Sequence, residues 1–159
     1  MTRTFQLVGL DAAPFEPLFD LSDDELRARG ARRCVAGADH GFPCRIGLAD
    51  ARSGDELLLL PWMHQDALSP YRASGPIYVR RGASQRRLAP GEVPPYVTSR
   101  LMSLRAYDAE HLIVDAAVCE GTDAGTQLQR LLEDERVRYV HLHNARRGCY
   151  SCLALPVDA

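Results

Sequence analysis

Lysine is absent: all nineteen basic side chains among the 159 residues are arginine. Without it no side-chain Schiff base can form, which excludes lysine-bound pyridoxal phosphate and lysine aldolase chemistry. The same absence excludes a phosphate loop of the GxxxxGKS/T type, and no GxGxxG follows a predicted strand. Long apolar runs are missing as well. No purely apolar stretch exceeds four residues, as in Leu57 to Leu60, whereas a membrane-spanning helix needs about 20. The N-terminal MTRTFQLVGLD carries no apolar segment with a cleavage site, so no signal peptide is expected and cytoplasm is the expected location. A surplus of one charge is also lacking: 19 basic against 21 acidic residues leave a net charge of −2. The arginines form only doublets (Arg32-Arg33, Arg80-Arg81, Arg86-Arg87, Arg146-Arg147), which makes no electrostatic case for nucleic acid. Five cysteines, an odd number, argue against a closed disulfide framework and for thiols in a reducing compartment.

What is present reads as one folded domain over 1–159. The composition is 46% hydrophobic and 25% charged, as in ordinary globular chains. FQLVGL (5–10) predicts a first strand. Ser22 is placed to cap a short helix over 22–29, with Asp23, Asp24 and Glu25 in its first turn and Gly30 as its stop. Strands are predicted at 31–36, 44–48, 55–62 and 75–82, separated by turn residues. The Pro- and Gly-rich APGEVPPY forms a loop, and LMSLRAYD with HLIVDAAVC forms a hairpin. The one clear helix is TDAGTQLQRLLEDE (122–135), where Leu128, Leu131 and Leu132 repeat at i, i+3, i+4. Strands 137–143 and 149–155 close the chain as a β-hairpin. Strands outnumber helices and short turns join neighbours, so the fold class is α+β with a mainly antiparallel sheet.

The closing segment HLHNARRGCYSC (141–152) carries the most chemistry. Alternation along a strand puts His141 and His143 on one face. A three-residue loop, Arg146-Arg147-Gly148, would pair Ala145 with Cys149 and place Cys149 on the histidine face, with Cys152 opposite. A two- or four-residue loop would shift the register and exchange the two cysteines. With the first arrangement, Cys149 stands as nucleophile beside His143 or His141, and the Arg146-Arg147 turn adds positive potential. Cys149 or Cys44 should then alkylate first near neutral pH. A zinc site of His141, His143, Cys149 and Cys152 is the competing reading, but the strand-like YSCLALPV does not form the tight turn a zinc CxxC needs. No metal and no cofactor is expected.

Two further motifs carry polar groups at strand ends: GFPCR (Cys44, Arg45), and HQ with SPYR (His64, Gln65, Tyr71, Arg72). Taken with LADA (48–51), HLHNA and GCY, these stretches resemble a bacterial family of small single-domain proteins classed as a domain of unknown function. The resemblance runs over essentially the whole chain and implies no activity. The family pattern ends at the Cys of GCY, so Cys152 lies outside it, which further weakens the zinc reading.

Loops at strand ends are where rigid scaffolds place sites. The leading expectation is therefore a pocket for a small anionic or polar ligand, lined by Cys44, Arg45, His64, Gln65, Tyr71, Arg72 and Asn144, with Cys149, His143 and His141 as its reactive groups. The alternative is a non-enzymatic module that binds a protein partner or self-associates as a homo-oligomer through uncovered strand edges.

Overall fold

The computed structural model describes residues 2–159 and shows two five-stranded sheets with few helices. The first sheet has the order β1 (Arg3–Val8), β10 (Tyr150–Asp158), β9 (Tyr139–Asn144), β7 (Leu101–Tyr107), β8 (Ile113–Glu120) and is antiparallel throughout. The second has the order β2 (Arg32–Val35), β5 (Glu56–Gln65), β6 (Ala73–Arg80), β3 (Pro43–Cys44), β4 (Ala49–Asp50). Its single parallel contact is Cys44 opposite Tyr78. The α+β class with mainly antiparallel pairing and a C-terminal hairpin is the fold observed.

Among the described residues there are three α-helices, α1 (Asp23–Ala28), α2 (Pro95–Thr98) and α3 (Ala124–Leu131), and a 3-10 turn at Glu16–Asp20. Ser22 Oγ accepts from Glu25 N at 3.1 Å, the cap the sequence calls for. α3 is shorter than the predicted 122–135. A 3-10 turn, Gly121–Asp123, precedes it, and beyond Leu132 the Asp134 carboxylate takes the Arg136 N–H at 2.9 Å, a local bond that competes with continued helix. Leu128, Leu131 and Leu132 all remain buried. The strand predicted at 44–48 is instead a tight turn between β3 and β4. Leu48 N bonds back to Cys44 O at 3.0 Å, and Leu48 takes a left-handed φ of 51°. The proline-rich loop contains α2, with Pro95 at its first position, where no N–H is needed.

The first sheet has two unlike faces, and this positions everything below. Val140, Leu142, Met102, Leu104, Cys152 and Ala154 pack with Phe5, Leu7 and the leucines of α3 into one core. The alternate residues, Tyr139, His141, His143 and Tyr107, project from the other face. A second core, with Phe15, Leu26, Cys44, Ile46, Leu58, Ile77 and Val79, covers the second sheet.

Candidate functional site

The hairpin closes differently from the three-residue loop expected. Asn144 N donates to Cys149 O at 2.9 Å and Gly148 N to Asn144 O at 2.7 Å, so the loop is the four residues 145–148. Gly148 does take the left-handed position, with φ 79°. His143 therefore faces Tyr150, and a bulge at Ser151 then sets Cys152 opposite Leu142 and Leu153 opposite His141. The slip moves Cys149 across from Asn144, and the bulge returns Cys152 to the core face, where it is 1% exposed. The four-ligand zinc set is thus not assembled, because Cys152 lies on the far face from the histidines. Among the described residues no three His, Cys, Asp or Glu side chains are grouped to hold a metal ion.

His141 and His143 do share a face, and His64 reaches them from the end of β5 in the other sheet. Ring centroids are 4.9 Å apart for His64 and His143, 6.2 Å for His64 and His141, and 6.4 Å for His141 and His143. Tyr150 stacks on His64 at 5.7 Å and 7°, while Tyr107 and Tyr139 flank His141 at 4.9 and 5.1 Å. Burial pulls His141 down to about 3 and His143 to about 4, and lowers His64 as well; the Arg105 guanidinium adds to all three. The rings are therefore neutral near pH 7. His143 Nδ1 lies 3.0 Å from Gly148 O, a carbonyl that can only accept, so Nδ1 carries the proton and Nε2 keeps its lone pair. That Nε2, His141 Nδ1 and His64 Nδ1 are buried with no hydrogen-bond partner. Imidazoles held this low are weak proton acceptors near neutrality.

Arg45 forms a second centre. It is 1% exposed, among the most deeply buried side chains of the molecule. Its Nε donates to Tyr150 O at 2.8 Å, its Nη1 to Pro43 O at 2.6 Å, and its Nη2 to Cys149 Sγ at 3.1 Å. The guanidinium thus ties the second sheet to the hairpin of the first. Among the described residues no carboxylate pairs with it. Asn144 Nδ2 approaches the same sulfur at 3.8 Å, and Asn144 Oδ1 is buried without a partner. Arg45 and Asn144 open onto a cleft of about 270 Å³ whose wall also holds Arg100, Arg146, Arg147 and one acid, Glu120.

The remaining predicted site residues divide. Gln65 is buried below the histidines and donates to Tyr139 OH at 2.9 Å; that hydroxyl also meets His111 Nδ1 at 2.7 Å. Tyr71 is half-exposed and sits edge-on to Tyr107 at 6.1 Å, at the margin of the aromatic cluster. Arg72 turns outward to the Asp66 carbonyl. Cys44 is not part of either centre. The last residue of β3, it packs into the second core, where its Sγ accepts from Arg80 N at 3.2 Å. Sequence reasoning missed Arg100, Tyr107, Tyr139 and Tyr150. Arg100 stands just outside α2, and nothing local marks it; Tyr150, inside GCY, reaches the histidine face only through the four-residue loop, which the residues do not declare.

No curated protein and no solved structure matches the chain. One family model does, over residues 41–154 of the 159, a span that takes in every residue of the two polar centres. The chain belongs to that family, described as "Protein of unknown function (DUF1203)".

Proposed function

We propose that the protein binds a small anionic ligand in the cleft at the hairpin turn, with Arg45 at its inner end and Arg100, Arg146 and Arg147 on its wall. The observation that carries this is Arg45: a guanidinium that is always charged, 1% exposed, and without a carboxylate partner. A buried charge lacking a counter-charge is costly, and an incoming carboxylate or phosphate would relieve that cost. Arg146 and Arg147 are exposed and make no ion pair among the described residues, so they too are placed to meet an anion. Arg100 is already engaged by Asp50 at 2.8 Å and supplies shape more than free charge. At about 270 Å³ the cleft suits phosphate or a short carboxylic acid, since larger organic ligands take roughly 300–1,000 Å³.

Calorimetric titration with phosphate, succinate and citrate tests the reading. Saturable binding of one of them is expected, weakened by the double substitution Arg146→Ala/Arg147→Ala in the exposed turn at unchanged melting temperature. Absence of binding by all three anions overturns it.

One observation favours a second reading, self-association. β8 ends its sheet with eight residues and holds out Val118 at 68% exposed, an edge open to a strand from a second copy. Light scattering across concentration decides this: a dimer lost on Val118→Lys supports it, and a monomer throughout overturns it.

A further inference from the structure

We propose that Cys149 is a reactive thiol, placed behind the cleft wall by the hydrogen bond from Arg45 Nη2 to its sulfur, and that hydrogen peroxide or a small organic hydroperoxide oxidises it to a sulfenic acid. The inference deepens the anion-binding reading and rests on it in one respect: both take Arg45 as a cation with a place for an anion beside it.

Three observations converge on the sulfur. First, among the groups hydrogen-bonded to Arg45, two are backbone carbonyls and the third is Cys149 Sγ, 3.1 Å from Nη2. Among the described residues no carboxylate forms an ion pair with Arg45, so the sulfur is the one side-chain acceptor its guanidinium has. Second, Asn144 lies across the hairpin with Nδ2 3.8 Å from the same sulfur. It is 9% exposed, and its Oδ1 has no donor in the fold. An orphaned buried acceptor beside a nucleophile is a place for a substrate O–H, and a hydroperoxide brings an O–H to donate. Third, Cys149 is only partly covered, whereas Cys44 and Cys152 are buried.

The other thiols are set apart. Burial raises Cys34 and Cys119, the latter also through Asp123 and Glu120, and pushes Cys152 up to about 12. None of these has a guanidinium hydrogen-bonded to its sulfur. In the reaction the thiolate attacks one peroxide oxygen. An S–O bond forms as the O–O bond breaks, sulfur gives up two electrons, and the leaving hydroxide or alkoxide takes a proton from solvent. Arg45, bonded to the sulfur through Nη2, faces the charge that develops on the oxygens. Cys152, three residues on, is buried in the core under the first sheet, and both cysteines are free thiols.

The test treats the full chain with hydrogen peroxide and traps sulfenic acid with dimedone, reading each cysteine peptide by mass spectrometry. Cys149 is expected to label about tenfold or more faster than Cys34 and Cys119 near neutral pH. Arg45→Lys, which keeps the charge but loses the fork, should slow Cys149 while leaving Cys34 unchanged, and Cys34 reports that the fold is intact. Labelling of Cys149 no faster than Cys34, or only after unfolding, overturns the proposal, as does an unchanged Cys149 rate in Arg45→Lys. Titration with phosphate separates the two readings. Fast Cys149 labelling in a protein that binds no anion supports the thiol and removes the ligand reading, and phosphate binding beside an unreactive Cys149 does the reverse.

Discussion

His64 and His143 stand edge to face across the two sheets, ring centroids 4.9 Å apart with planes at 82°. Together with His141 they put three neutral imidazoles in a confined space, and folding opposes their protonation. Burial is the main cause, holding His141 at about 3 and His143 at about 4, against 6.5 in the unfolded chain. Between those values the unfolded state binds more protons than the native one, so stability is complete above about pH 6.5 and falls as pH drops toward 3. At pH 5 the two groups together account for a loss of about 4 kcal/mol, at roughly 1.4 kcal/mol per unit for each. Denaturant unfolding measured from pH 8 to pH 4 checks this, and His141→Phe should remove about half of the slope. A flat profile would mean that the rings are already charged or solvated in the fold.

Arg45 holds the sheets in register with the hairpin. Truncating it to Ala removes the donors to Tyr150 O and Pro43 O and leaves a cavity in place of a fully buried side chain. A loss of about 2–4 kcal/mol is expected from the unsatisfied carbonyls and the void combined. Arg45→Met, which refills the volume without the bonds, should recover part of that loss in the same unfolding measurement.

Tyr96 anchors the bulge that sorts the closing cysteines. Its hydroxyl donates to Ser151 O at 2.9 Å from the first turn of α2, with the ring 2% exposed. Ser151 is the extra residue of β10, so this bond fixes the point at which the register shifts. Tyr96→Phe should cost about 1–2 kcal/mol. It should also speed amide exchange at Ser151 and Cys152 more than elsewhere in β10.

The fold class was legible because alternation in β7, β8 and β9 and the Leu128, Leu131, Leu132 stripe are local signals that the packing did not override. The turn at 45–48 was not, since CRIGL has the composition of a strand and its turn is held by partners far along the chain: Leu10 N donates to Arg45 O at 2.8 Å, and Gly9 lies so close to Ile46 O that a Cβ would meet it at 2.0 Å. The face shared by His141 and His143 follows from a period of two and needed no structure. The position of Cys149 depended on one residue of loop length and a compensating bulge at Ser151, neither of which the residues ARRGCYS declare. The convergence of His64 on His143 belongs to the approach of two sheets. The Arg100 side chain reaches the cleft through long-range packing of the same kind.

Two glycines separate backbone strain from steric exclusion. Gly148 sits in the hairpin turn at φ 79°, and a Cβ there would meet nothing within 4 Å. Gly148→Ala therefore costs only the left-handed backbone, about 1 kcal/mol, and should leave Cys149 and Asn144 in place. Gly121, at the entry to α3, is the opposite case: an added Cβ would lie 1.9 Å from Val97 O and 2.6 Å from Arg100 O. The backbone of α2 and the start of β7 would have to move away, and with them the Arg100 side chain that bonds both Tyr96 O and Asp50. Gly121→Ala should cost roughly 3 kcal/mol or more. It should also weaken anion binding at the cleft, whose wall holds its neighbours Glu120 and Arg100, whereas Gly148→Ala, next to the wall residue Arg147, should not. Parallel melting and phosphate titration of the two variants test this, and equal costs at the two positions would show that α2 yields more readily than its packing implies.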